Sequence, residues 1–324
     1  MTISRRTFTL AAGAGAIALP AWAQDKWPSK PIVYIVPFPA GGTTDILARL
    51  IGQKLGPVLG TTIVVENKPG AGGNVGSEVV AKAAPDGYTI LGGTISSHAI
   101  NVSLYPKLPY DPVTSFQPIT LIGTNPNILV VNASSPYKSV QDITAALKAK
   151  PGSLSYASAG NGTSQHLSAE LYKFLAGVDM VHIPYKGSGP AIQDVIGGQV
   201  PMMFDTSVVA GPHIESGRLR ALAVTSSKRA AVFPNVPTMA ESGVPGYDVV
   251  SWQAIFAPAG TPKPIVDRLH AELAKILKDP EVQDRLAKLG LDASGMTPSE
   301  LAAFQKAEID KWAKVIKAAN IKID

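Results

Sequence analysis

The stretch IVYIVPFPAGGTTDILARLIGQKL, residues 32–55, runs from strand through glycine turn to helix without a break. Its first five residues are all β-branched or aromatic, which favours a buried strand. Pro37 and Pro39 end that strand, and Gly41 and Gly42 let the chain reverse. Beyond the turn, Ile46, Leu47, Leu50, Ile51 and Leu55 fall on one helical face, with Thr43, Thr44 or Asp45 available as N-cap. The same order recurs at SYASAGNGTSQHL (155–167) and at IPYKGSGPAI (183–192).

Working outward, further strand candidates are 61–67, 88–94, 127–133, 154–159, 180–185, 201–206 and 219–225. Segments with helical periodicity lie between most of them, near 75–83, 139–149, 164–175, 189–197 and 208–216. Alternation of strand and helix argues for an α/β fold with mixed, mostly parallel sheets flanked by helices. After APAGTP the chain turns helical. Thr261 is expected to cap a helix with Pro262 in its first turn, Ile265, Leu269, Leu273 and Leu277 repeat every fourth residue, and Thr297 and Glu300 have capping-box spacing. These last helices are expected to pack on the first sheet, so the chain should cross between two lobes twice. The expected lobes are 24–122 plus 248–324, and 123–247.

Each glycine turn opens a helix, whose first backbone N–H groups have no partner in the helix and lie at the positive end of its dipole. Such an end holds a carboxylate or phosphate without any arginine. Hydrogen bonds to a charged group contribute about 1.5 to 3 kcal/mol each, and micromolar binding needs about 8 kcal/mol, so four or five amides and hydroxyls suffice. In open α/β sheets, ligands gather outside the carboxyl ends of the strands, where all three turns belong.

Competing chemistries find little support. No G-x-x-x-x-G-K-[ST] loop is present, and GAGGNVG (70–76) is followed by a strand ending in LGGT, without the acid a ribose needs. The histidines, His98, His166, His182, His213 and His270, form no metal-binding pair, there is no G-x-S-x-G elbow, and the absence of cysteine excludes disulfides and thiolate sites. His166, just inside a helix start, reads as a hydrogen-bonded structural residue. No cofactor, no metal and no catalysis are expected; an exported α/β enzyme acting on a small anionic metabolite is the alternative.

With 324 residues, 45% of them hydrophobic, the chain can bury the cores of about two domains. SRRTF (4–8), an apolar run from Leu10 to Leu19 and Ala21-Trp22-Ala23 have the layout of a cleavable export signal, with the twin arginine of a folded-protein export route, over residues 1–23. Loss of Arg5 and Arg6 lowers the formal net charge from +5 to +3. The remaining Lys and Arg are dispersed, which speaks against a nucleic-acid partner. The mature chain is expected in the periplasm, soluble and monomeric.

VPFPAGGTTDILARL (36–50), VVENKPGAGGNVGSEVVAKAAPDGYTIL (64–91), YASAGNGTSQHLSAELY (156–172), IPYKGSGPAIQDVIGGQV (183–200), LRALAVTSSKRAAVFPNVPTMAESGVPGY (219–247) and FAPAGTP (256–262) together resemble the Bug-type receptors of tripartite tricarboxylate transporters. The resemblance runs in order through nearly all of the mature chain. It implies a two-lobed Venus-flytrap fold of type II-like periplasmic binding proteins, a small carboxylate or amino acid enclosed between the lobes, and membrane permease subunits as partner. It further implies that Phe38, Pro39, Ala40, Gly41, Gly42, Thr43 and Asp45 of one loop, and Ser158, Ala159, Gly160, Asn161, Gly162 and Thr163 of another, hold one ligand carboxylate. Asp205, at a strand end, matches a position that can face the cleft; capping the next helix is its other reading. Asp45 has Arg49 as a natural ion-pair partner four residues on. Lys186 reads as an exposed turn residue within reach of an anion.

Overall fold

The computed structural model describes residues 27–323, so the expected export signal lies outside the described residues. The elements alternate in the order β1 (Ile32–Val36), α1 (Thr43–Leu59), β2 (Ile63–Asn67), α2 (Asn74–Ala81), β3 (Thr89–Thr94), α3 (Asn101–Leu104) and β4 (Phe116–Asn132). They continue with α4 (Val140–Ala149), β5 (Ser155–Ser158), α5 (Ser164–Ala176), β6 (Val181–Pro184), α6 (Ser188–Ile196), β7 (Met202–Thr206), α7 (Ser207–Glu215) and β8 (Leu219–Val224). β9 (Val250–Pro258), α8 (Lys263–Lys278), α9 (Pro280–Lys288), the short β10 (Asp292–Ala293) and α10 (Pro298–Ala318) complete the chain. All three expected strand–turn–helix units form: β1 to α1, β5 to α5 and β6 to α6.

The strands assemble in the order β2-β1-β3-β9-β4-β7-β5-β6, with β8 and β10 also paired to β4. Parallel pairing is confined to the outer strands, β1 with β2 and β3, and β5 with β6 and β7. The inner pairings of β4 and β9 are antiparallel. β4 belongs to both halves. Its first part, Phe116 to Pro126, pairs with β9, and from Asn127 onward it pairs with β7 and β8. The return crossing leads into β9 at Val250. Thr225 ties the two crossings together: its hydroxyl accepts the Asn127 N–H at 2.8 Å and donates to the Val249 carbonyl at 2.7 Å.

Two of these strands escape a reading by periodicity. Pro118, Gly123 and Pro126 interrupt β4, so only its end looked strand-like, and β9 mixes Ser251 and Gln253 with apolar neighbours. Both are buried along nearly their whole length, so polar residues inside them mark sites reached by other elements rather than a solvent face.

The cores follow the sheet. Ile32, Tyr34 and Val36 of β1 pack with Leu47, Ile51 and Leu55 of α1, Leu269 and Leu273 of α8, and Val282 and Leu286 of α9. Each fully buried side chain of this kind contributes roughly 1.5 to 3 kcal/mol. In the other half, Ile128 and Val130 of β4 and Met203 of β7 pack with Ile192 and Val195 of α6 and Val209 of α7. The capping box at Thr297 and Glu300 forms as expected. At α8 the cap differs: Pro262 holds the N-cap position, and the Thr261 hydroxyl instead donates to the Pro258 carbonyl at 2.8 Å.

Candidate functional site

Four helices begin at one small cavity of about 50 Å³. α1 brings Gly42, Thr43 and Thr44, α5 brings Thr163, Ser164 and Gln165, α6 brings Gly187, Ser188 and Gly189, and α7 brings Thr206. At α1, α6 and α7 no side chain caps the helix start; away from the cavity α4 and α10 carry full capping boxes, while α2 and α8 are uncapped too. Helix ends left without a side-chain cap leave their first amides to another acceptor.

The first loop owes its shape to Asp45, which is buried. Its carboxylate accepts from the Gly41 amide at 3.0 Å and from Asn67 Nδ2 at 3.0 Å, and Arg49 approaches to 2.9 Å. Burial raises its pKa, but the Arg49 guanidinium and the Gly41 and Asn67 donors outweigh that and hold it below the usual carboxylate range. Asp45 thus fixes the loop from behind and does not line the cavity; Gly41, at φ 80°, makes the turn and does not line it either.

The second loop is pinned by ring stacking. The His166 and His182 rings are stacked nearly parallel with centroids 4.3 Å apart, and Tyr156 stacks on the far side of His182. His166 Nδ1 accepts the Gly162 amide at 3.3 Å, and His182 Nε2 is 2.7 Å from Ser158 Oγ, which also accepts the Gly160 amide. Burial first, and Lys173 second, lower the His166 pKa to about 4, so the ring is neutral and free to accept. Ser158 and Gly162 are consumed in holding the loop, while Ala159 and Thr163 line the small cavity.

Contacts between the loops around the site are close. Thr43 Oγ1 and Thr206 Oγ1 are hydrogen-bonded, and Tyr105 donates to the Asn161 carbonyl at 3.2 Å. Gly187, at φ 106°, packs so tightly that an added Cβ would lie 2.7 Å from Pro39 Cγ, and one at Gly72 would lie 2.6 Å from Asn161 O. Only glycine permits this approach.

Phe38, Pro39, Ala40, Thr94, Ser96, Ser251 and Gln253 complete the lining of the small cavity, which contains no charged side chain. Thr44 Oγ1 donates to Gln253 Oε1 at 2.8 Å, which leaves the Gln253 amide N–H groups for the cavity. A water needs roughly 10–15 Å³ by this measure of volume, so the space takes a carboxylate with its first carbon and little more. A second cavity of about 550 Å³ adjoins it, sharing Phe38, Pro39, Ala159 and Gly187 as walls. Gly160, Asn161, Tyr105, Tyr185, Lys186 and the Pro69–Gly73 turn line this larger space. The turn is the GAGGNVG segment of the sequence; it forms a wall as well as a bend. Among the described residues, no group of three His, Asp or Glu can hold a metal.

Asp205 is fully buried behind the small cavity. Its Oδ1 accepts from Gln165 Nε2 at 3.1 Å, Ser188 Oγ at 3.0 Å and the Thr206 amide at 2.8 Å. The lining residues that a sequence reading leaves unnamed divide in two. Gln165 and Ser188 sit at helix starts that follow glycine turns, and Thr206 sits where α7 starts directly after β7, with no glycine between. Thr94, Ser96, Ser251 and Gln253 come from β3, β9 and the turn after β3, and nothing local singles them out.

Comparison with known proteins agrees with this architecture. Residues 47–321 match the model of the tripartite tricarboxylate transporter family receptor. The chain is 39% identical to protein BugT of Bordetella pertussis over 308 residues, 95% of this chain and 94% of BugT. Among solved structures it resembles Rpa4515 of R. palustris with adipate, at 40% identity and a TM-score of 0.89 over 91% of this chain and 99% of that one. It also resembles MatC (Rpa3494) of Rhodopseudomonas palustris with bound malate, at 37% identity and a TM-score of 0.86 over 89% and 99% of the two chains. The two-lobed α/β fold is the one shared by these binding proteins. The chain therefore belongs to the tripartite tricarboxylate transporter receptors of the Bug type, a family of solute-binding proteins and not of enzymes.

Proposed function

We propose that this chain is a periplasmic receptor that encloses a small organic carboxylate between its two lobes and presents the closed form to the permease of a tripartite transporter. The observation that carries the reading is the convergence of helix starts without side-chain caps on one cavity that has no charged side chain. A carboxylate supplies the acceptor those amides lack, and the helix dipoles supply the positive field. Adipate in Rpa4515 and malate in MatC, both carboxylates, support the class of ligand.

In this reading the ligand headgroup sits in the small cavity, against Gly42, Thr43 and Thr163, and its remainder extends toward the larger one. Residues 24–122 with 248–324 form one lobe and 123–247 the other, with the hinge in the crossing strands that Thr225 ties together. The chain acts as a monomer on its ligand. No helix among the described residues is long and apolar enough to cross a membrane, and the export-signal layout of residues 1–23 supports delivery to the periplasm.

The test is a thermal-shift screen of mono-, di- and tricarboxylates, amino acids and aromatic acids, adipate and malate included. A ligand at a hundredfold its Kd adds about 2.7 kcal/mol, a rise in Tm of roughly 5 °C for a chain of this size. Silence across the whole panel would count against the receptor reading.

A further inference from the structure

We propose that the larger cavity is an entry vestibule, in which Lys186 draws the carboxylate in by its charge and takes no part in holding it once bound. The proposal rests on the receptor reading above and assigns a residue to the speed of capture rather than to its strength.

The two cavities differ in charge. No charged side chain lines the small one, and Lys186 alone carries a charge among the residues lining the larger one. Lys186 is exposed and, among the described residues, has neither an ion pair nor a side-chain hydrogen bond. It directly precedes Gly187, a wall that both cavities share, so it stands beside the partition between them. Phe38 is another shared wall, and its ring lies so near the Pro69–Gly73 turn that a Cβ added at Gly73 would come within 2.9 Å of Phe38 Cζ. Other charges nearby are committed. Lys68, just before that turn, pairs with Glu66 at 3.3 Å, and Asp194 accepts from the Tyr185 hydroxyl without lining the cavity.

The lining of the larger cavity passes an anion on rather than keeping it. The Tyr185 hydroxyl gives its hydrogen to Asp194 Oδ2 at 2.6 Å and the Tyr105 hydroxyl gives its own to the Asn161 carbonyl at 3.2 Å, so neither has one for a ligand. What remains for an anion is an exposed ammonium, and exposed ion pairs are weak. A charge on the rim of a site acts on an ion while it approaches and changes little as the ion settles, so it alters the association rate and its salt dependence rather than the dissociation rate. The uncharged small cavity then does the holding, through helix-start amides and hydroxyls.

Stopped-flow kinetics on the full mature chain, with the acid that raises Tm most in the panel above, separates capture from retention. A unit charge acting through water over about 10 Å changes an encounter rate about twofold for a monoanion and about fourfold for a dianion. At about 0.01 M salt, where the Debye length is about 30 Å, Lys186→Gln should slow association by that factor and Lys186→Glu by about its square. Dissociation should stay within about 1.5-fold of the native rate in both. The differences should vanish at about 1 M salt, where the Debye length is about 3 Å. Lys148→Gln, on α4 and lining neither cavity, removes the same charge and should leave both rates unchanged. An unchanged association rate in Lys186→Glu, an equal fall in Lys148→Gln, or an effect carried by dissociation would each overturn the proposal while leaving the receptor reading in place. Two acids bound per chain would do the same, since the larger cavity would then be a site in its own right. If no acid of the panel binds, the receptor reading falls and the proposal with it.

Discussion

Thr43 Oγ1 stands 2.7 Å from Thr206 Oγ1, a buried hydrogen bond between the first residue of α1 and the N-cap of α7, 163 residues apart in the chain. It joins the half of the molecule built on β1 to the half built on β7, at the wall of the small cavity. In the proposed receptor cycle both hydroxyls would be hydrated in an opened form, and the bond would form on closure.

Replacing Thr43 with valine keeps the shape and removes the hydroxyl. One net hydrogen bond is worth about 0.5 to 1.5 kcal/mol, with more lost when the partner stays buried and unsatisfied. Carboxylate affinity of Thr43→Val should fall about tenfold, with the circular dichroism spectrum and the ligand-free Tm little changed. Calorimetry on the ligand found in the screen checks this, and unchanged affinity would remove the hydroxyl pair from the closing contacts.

Gly42 has ordinary extended dihedrals, φ −80° and ψ 167°, and an added Cβ would have only the Pro39 carbonyl, 3.4 Å away, as a neighbour. A larger side chain is therefore compatible with the fold but must occupy the small cavity. Gly42→Leu should fold with native-like stability and lose the ligand-induced rise in Tm. A retained rise would show that the headgroup binds elsewhere.

Gly187 is the opposite case, since its φ of 106° and the 2.7 Å approach to Pro39 leave no room for a methyl group. Gly187→Ala should cost roughly 1 to 3 kcal/mol of backbone strain and, beyond that, keep the two sides apart. Small-angle scattering with saturating ligand should give a larger radius of gyration for this variant than for the native chain. Identical radii would mean that the contact does not control closure.

Asp45 carries a pH signature. Its pKa is held below the ordinary aspartate range in the folded chain, so its stabilisation is present above that range and is lost as pH falls through the lowered value. Asp45→Asn should destabilise the protein by about 1 to 3 kcal/mol at pH 7, measured by urea unfolding. The gap from the native chain should close as the acid protonates. A gap that persists in acid would point to packing rather than charge.

Much of the fold was legible because local chemistry repeats. Ile32–Val36 and Ile46–Leu55 announce a strand and a helix by residue type and spacing, and the glycines between them announce the turn. Most of the long β4 was not legible, because Pro118, Gly123 and Pro126 break its pattern and only pairing with β9 along its first part and with β7 and β8 along its second keeps it a continuous strand through its register shifts. The site divides along the same line. Of the residues named from the turns, Phe38, Pro39, Ala40, Gly42, Thr43, Ala159 and Thr163 line the small cavity. Asp45, Ser158 and Gly162 share those loops but hold them from behind.

The sequence alone determined that strands feed helices through glycine turns, since dihedral freedom, β-branching and helical spacing act over a few residues. It also indicated that an anion could be met there by amides and hydroxyls, since Lys186 is the only basic side chain in those turns. Only the tertiary structure decided which helix starts share a cavity and that Gln253 and Ser251 join them from β9. It alone turned Gln165 and Ser188 toward Asp205. Those outcomes depend on where residues far apart in the chain come to rest, and burial in a common core, not local preference, sets that.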